Sequence, residues 1–197
     1  MKSLCIYCGS SPGASPLYAA AARRLAQEMV ADNIALVYGG AHVGLMGIIA
    51  DEVLRLGGDA TGVIPKALRE KEVGHQGLTR LHIVKDMHER KALMAELSDG
   101  FIAMPGGIGT LEELFEVFTW SQLGIHDKPI GLLNVNGFYD GLIGFVQHLV
   151  NERFLKEEQA RIIMVESDET ALIERFKSYQ PSKRGQAGAP THTKIVP

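Results

Sequence analysis

Short uninterrupted apolar runs alternate along this chain with stretches whose apolar residues recur every three or four positions. The runs Leu4–Cys8, Ala35–Tyr38, Ala60–Ile64, Leu81–Val84, Phe101–Met104, Ile130–Leu133 and Ile162–Val165 read as strands. Helical periodicity marks Pro16–Ala31, Leu45–Leu56, Met87–Leu97, Leu111–Leu123, Phe138–Asn151 and Glu169–Tyr179. Continuous apolar strands separated by helices predict an α/β, Rossmann-like fold, a parallel sheet with helices on both faces. One such domain is expected over residues 1–179. From Gln180, Pro, Ser, Lys, Gly, Gln and Thr dominate, so 180–197 is expected to be a flexible tail.

In open parallel sheets, ligands bind beyond the carboxyl ends of the strands. Three Gly-rich turns fall there: Gly9-Ser10-Ser11-Pro12-Gly13, Gly39-Gly40-Ala41-His42-Val43-Gly44, and Pro105 to Thr110. A single glycine turn signals only tight backbone, whereas three at one topological position point to a shared crevice. The third carries most. Phe101–Met104, the turn and the following helix form strand, glycine loop and helix N-terminus, where backbone N–H groups and the helix dipole favour an anion. Glu112 and Glu113 would repel a phosphate, so a functional carboxylate must face what the phosphate is attached to. A sugar phosphate meets both demands.

Structural alternatives accompany each motif. Thr110-Leu111-Glu112-Glu113 also fits a capping box, with Thr110 as N-cap and Glu113 as its reciprocal partner. Asp86 and Glu89 fit the same pattern and place Arg90 and Lys91 in the first turns of a helix, where cations oppose the dipole. Those cations are either a solvated surface pair or part of an anion site, and Arg90 could grip Glu113 by charge-assisted hydrogen bonding.

Composition narrows the classes. A net charge of −3 argues against broad nucleic-acid binding, and no apolar run is long enough to span a bilayer. The chain enters a strand at once with no signal-peptide pattern, leaving the cytoplasm as the expected location. Cys5 and Cys8 stand three apart on a strand, facing opposite ways, and read as buried structural residues. The seven histidines have no metal-ligand spacing, so no metal is expected. Glu112 occupies the third glycine position of a dinucleotide fingerprint, and Leu45 stands where a P-loop needs lysine. No G-x-S-x-G elbow is present.

Pro105-Gly106-Gly107-Ile108-Gly109-Thr110-Leu111-Glu112-Glu113 resembles the P-G-G-x-G-T-x-x-E signature of the LONELY GUY family, and Met87-His88-Glu89-Arg90-Lys91 its M-H-x-R-K motif. Val37–Gly47 and Gly62–Lys66 are also similar to family segments, with Ala41 where many members carry a third glycine. The resemblance runs from about Leu4 to Tyr179. Members are cytokinin riboside 5′-monophosphate phosphoribohydrolases, and bacterial relatives hydrolyse AMP. The resemblance implies hydrolysis of a purine nucleoside 5′-monophosphate to free base and ribose 5-phosphate, with no cofactor and no metal, by a homodimer. It implies Arg90 and Glu113 as the catalytic pair, and Glu72, Lys91, the loop Gly107–Glu113 and Thr119 as nucleotide contacts.

On this reading Gly106, Gly107, Ile108, Gly109 and Thr110 hold the 5′-phosphate, with Leu111 and Glu112 next to them. Glu113 supplies negative charge to an oxocarbenium-like transition state or activates water, and Arg90 fixes it and keeps it ionised by lowering its pKa. Glu112 is assigned the ribose hydroxyls, although the order of the two glutamates stays open. Thr119 lies two turns down the helix, so its contact has little physical basis in the sequence. Some relatives are labelled lysine decarboxylases, yet no pyridoxal phosphate lysine with a pyridinium partner can be argued. Two alternatives remain: a molybdenum cofactor carrier, which shares the fold and a similar loop, and a nucleosidase that also accepts pyrimidines. Adenine and N6-prenylated adenine are equally open as the base.

Overall fold

The computed structural model describes residues 1–69 and 74–181. Seven strands, β1 (Ser3–Tyr7), β2 (Ala35–Tyr38), β3 (Ala60–Pro65), β4 (Arg80–Val84), β5 (Phe101–Ala103), β6 (Ile130–Leu133) and β7 (Ile163–Glu166), form one sheet in the order β4-β3-β2-β1-β5-β6-β7. Every neighbouring pair is parallel. The long helices are α1 (Pro16–Ala31), α2 (Gly44–Arg55), α4 (Met87–Glu96), α5 (Ile108–Gln122), α6 (Asp140–Asn151) and α8 (Glu169–Lys177). The expected architecture holds, and strand and helix boundaries agree to within a few residues. Two single-turn helices, α3 (Lys66–Arg69) and α7 (Glu157–Ala160), and a 3₁₀ turn at Val135–Gly137 were not anticipated, because one turn is too short for periodicity to register. The tail from 182 lies outside the described residues.

β1 is the middle strand of the order, and both its faces are covered. Leu4 and Ile6 face one core with α1, α2 and α8, while Cys5 and Tyr7 face a second core with α4 and α5. Cys5 and Cys8 accordingly fall in different cores, as the strand period requires. Burial pushes both thiols well above the ordinary thiol range, which suits packing and disfavours thiolate chemistry.

Beyond β1 the chain departs to one side of the sheet, and beyond β5 to the other. That divergence opens a crevice at the switch point. The three Gly-rich turns meet there and are tied by backbone bonds: Gly9 N–H donates to Pro105 O (3.1 Å), and Leu45 N–H donates to Gly9 O (3.0 Å). Gly44, at φ +58°, passes so close to the backbone of Ser10 and Ser11 that no Cβ fits. Ala41 is fully buried and bridges Gly74, so its methyl is accepted in the turn. A cavity of about 230 Å³ lies between the first and third turns, lined by Ser10, Tyr18, Leu45, Gly106 and Phe138 among others.

Candidate active site

α5 begins three residues earlier than periodicity predicts, at Ile108, with Gly107 as N-cap and no side chain capping it. Thr110 is therefore not a cap. It is the third helical residue, 3% exposed, with its hydroxyl packed against Gly106. Glu113 is the sixth residue of the helix, beyond the uncapped amides of the first turn, and the capping-box alternative for it is overturned. A helix N-terminus left without a side-chain cap keeps its N–H groups available to an anion. Cβ atoms placed on Gly107 or Gly109 would meet nothing within 4 Å, whereas one on Gly106 would strike Thr110 and Gly9. Gly106 is thus demanded by the fold; Gly107 and Gly109 leave open space in front of the helix.

α4 supplies the cations. Asp86 caps it by accepting from Glu89 N–H (3.0 Å), and Glu89 reaches back to Lys85 N–H (2.7 Å) rather than to Asp86 itself. Arg90, the fourth helical residue, is turned inward and only 7% exposed. Its Nη2 lies 3.7 Å from Glu113 Oε1, and Nη1 lies 3.8 Å from Met87 Sδ. Among the described residues its buried Nε has no hydrogen-bond partner. A buried guanidinium whose contacts among the described residues are long has donors to spare for a ligand.

Lys91 is engaged differently. Its Nζ contacts Glu112 at 2.6 Å and Glu116 at 3.0 Å. Burial works to lower its pKa, but the two carboxylates outweigh it and hold it above the ordinary lysine value. Such an ammonium is the reverse of a Schiff-base lysine, which needs a depressed pKa. Glu116 was missed in the sequence; its signal was the helical spacing that puts it on one face with Glu112.

Glu113 is almost enclosed. Desolvation pushes its carboxyl up to about 7, with Glu112 and Glu116 adding to the rise. Arg90, and Lys91 beyond it, oppose the shift without cancelling it. The expectation that Arg90 lowers this pKa is thus corrected: Arg90 acts in the predicted direction, but burial is the larger effect.

The remaining expected contacts separate. Ile108 (82% exposed), Gly107 and Gly109 face outward at the helix start, and Leu111 is half-buried behind them. Thr119 sits nine residues beyond Thr110, about 13 Å along the axis, and donates its hydroxyl to Phe115 O (2.7 Å) on an exposed face. It is not brought to the other residues within one chain. Glu72 lies outside the described residues.

His42, Asp51 and His75 form a further cluster. His75 Nδ1 accepts from Gly77 N–H (3.0 Å), so in the neutral ring Nε2 carries the proton and donates it to Asp51 (2.9 Å). A metal at Nε2 would have to displace that proton, and the cluster reads as a clip between the 39–44 turn and the segment at Gly74–Gly77.

The matching family model, described as "Possible lysine decarboxylase", covers residues 46–176. A probable cytokinin riboside 5′-monophosphate phosphoribohydrolase of Oryza sativa subsp. japonica is 46% identical over 196 residues, covering 100% of this chain and 75% of that protein. A cytokinin riboside 5′-monophosphate phosphoribohydrolase of Arabidopsis thaliana is 47% identical over 184 residues, covering 93% and 81%. The chain belongs to the LONELY GUY family. The molybdenum cofactor carrier protein of Chlamydomonas reinhardtii matches with a TM-score of 0.67 at 16% identity, over 90% of this chain and 98% of that one, a likeness of fold alone. For a LONELY GUY chain, "lysine decarboxylase" describes no chemistry that Lys91 is set up to perform.

Proposed function

We propose that this protein hydrolyses the N-glycosidic bond of purine nucleoside 5′-monophosphates, releasing free base and ribose 5-phosphate. The observation that carries the reading is the buried Arg90–Glu113 pair placed beside an uncapped, glycine-opened helix N-terminus. Family membership and the names of the 46–47% identical relatives support it.

The 5′-phosphate rests on the amides at Gly107–Thr110, and its binding energy holds the scissile bond in place. Glu113, ionised, stabilises the oxocarbenium-like transition state or takes a proton from the attacking water. Arg90 steadies that carboxylate and directs its spare donors to the ribose side. Glu112, half exposed and tied to Lys91, is the ribose-hydroxyl partner. A pure carrier needs the cradle but gives no task to a buried carboxylate poised near neutrality.

A homodimer belongs to the same reading. α6 is mostly apolar yet has no buried residue, and Phe145 on it is 54% exposed. An apolar groove of about 260 Å³ runs beside it, lined by Phe115, Leu142, Ile143, Val146 and Ile163 among others. Apolar surface of this kind suits a second copy. The cytoplasm is the proposed location; among the described residues no helix is long and apolar enough to cross a membrane.

Incubation with AMP, N6-prenyl AMP, CMP and adenosine, with detection of free base, tests the activity. Base should appear from one or both purine monophosphates and not from adenosine. Equal release from adenosine and AMP would remove the phosphate cradle from the mechanism, and no release from any monophosphate would sink the reading.

A further inference from the structure

Resting on that function, we infer that Gly39 is a positioning residue whose missing side chain forms the slot in which the Arg90 guanidinium lies. A Cβ built on Gly39 would fall on top of Arg90 Nη2, and 3.3 Å from both Arg90 Cζ and Met46 Sδ. Gly39 does not need glycine for its backbone, because its φ lies outside the positive region that Gly40 (φ +81°) occupies. The glycine serves space, and the space is filled by one functional group.

The contact places the end of β2 beneath a side chain from α4. Among the described residues Arg90 is otherwise held by long contacts, to Glu113 at 3.7 Å and Met87 Sδ at 3.8 Å. The close approach of Gly39 to the guanidinium makes the shape of the slot set where the guanidinium points. A methyl at position 39 displaces the flexible tip of Arg90 rather than the backbone, and Arg90 then leaves its place beside Glu113. Misplacement of a catalytic group by about 1 Å costs about a hundredfold in rate.

The test compares Gly39→Ala, Arg90→Ala and the double variant by AMP hydrolysis, melting temperature and the titration of Glu113 followed by carboxylate NMR. Gly39→Ala should fold normally and lose about a hundredfold in kcat. Combined with Arg90→Ala it should cost nothing more, because the slot then has no occupant. The Glu113 midpoint should rise in Gly39→Ala, since Arg90 opposes the effects of burial, Glu112 and Glu116, while Lys91, Cys5 and Tyr7 keep their places around the carboxyl. Wild-type kcat in Gly39→Ala alongside a disabled Arg90→Ala would overturn the assignment and leave the proposed function standing. Losses that multiply in the double variant would also overturn it, because Gly39 would then act independently of Arg90. If Arg90→Ala cleaves AMP at the wild-type rate, the catalytic reading fails instead; the NMR midpoint then decides, and an unmoved Glu113 in Gly39→Ala sinks the slot.

Discussion

Glu113 is where stability and chemistry pull apart. Its folded pKa, about 7, lies above the ordinary value of 4.5, so the native state holds the proton more tightly than the unfolded one. That contribution is fully present below about pH 4.5 and is lost as pH rises through about 7. Glu113→Gln removes the ionisation, so its melting temperature relative to wild type should rise between pH 5 and pH 8, as scanning calorimetry at both values would read. A constant difference would mean that folding does not raise the carboxyl's pKa. The same variant should lose about 10²–10³ in kcat with AMP binding retained. In the wild type, cleavage should increase with pH through about 7 if ionised Glu113 is the active form; a rate falling over that range would make it a proton donor instead. The glycines divide by a similar logic. Gly109→Ala meets open space and raises helix propensity by up to about 1 kcal/mol, so it should keep or increase stability while raising KM for AMP. Gly106→Ala collides with Thr110 and should lower the melting temperature. An unaffected KM in Gly109→Ala would show that nothing approaches that face.

At the scale of elements, α4 and α5 deliver the site by opposite uses of their first turns. α4 is capped by Asp86, which secures the turn from which Arg90 projects inward. α5 is left without a side-chain cap, and that end is the proposed anion cradle. Asp86→Ala should cost about 1 kcal/mol, hence a melting temperature lower by about 2–4 °C, whereas Asp86→Asn should largely restore it. Thermal unfolding of the two variants checks this, and equal loss in both would assign the effect to charge rather than to capping.

For the whole molecule, α6 is a long helix with apolar side chains and no buried residue. Phe145 is exposed in one chain, so Phe145→Asp should leave the monomer fold intact and abolish association. Light scattering should give about twice the 21.4 kDa chain mass for the wild type and a single chain mass for the variant. A monomeric wild type with full activity would remove the second copy from the picture. On α5, Leu114, Val117 and Phe118 turn inward to the core, whereas α6 has no buried residue.

The alternation of apolar runs and helical periodicity determined the parallel sheet, the places of the long helices and the gathering of three glycine turns, because burial on both faces leaves an unmistakable mark on a strand. The types of the proposed site residues were also legible, since arginine, lysine and two glutamates stood beside a glycine-rich helix start. Tertiary structure alone decided where each of them stands and what surrounds it. Thr110-x-x-Glu113 is locally indistinguishable from a capping box, and only the entry of α5 at Gly107 shows Thr110 inside the helix and Glu113 past its first turn. The pKa of Glu113 depends on desolvation by neighbours distant in sequence, which outweighs Arg90. Gly39 looked like any turn glycine until Arg90, 51 residues later, was found lying against it. Local pattern records which face of an element is buried; it carries no record of which distant side chain shares the space.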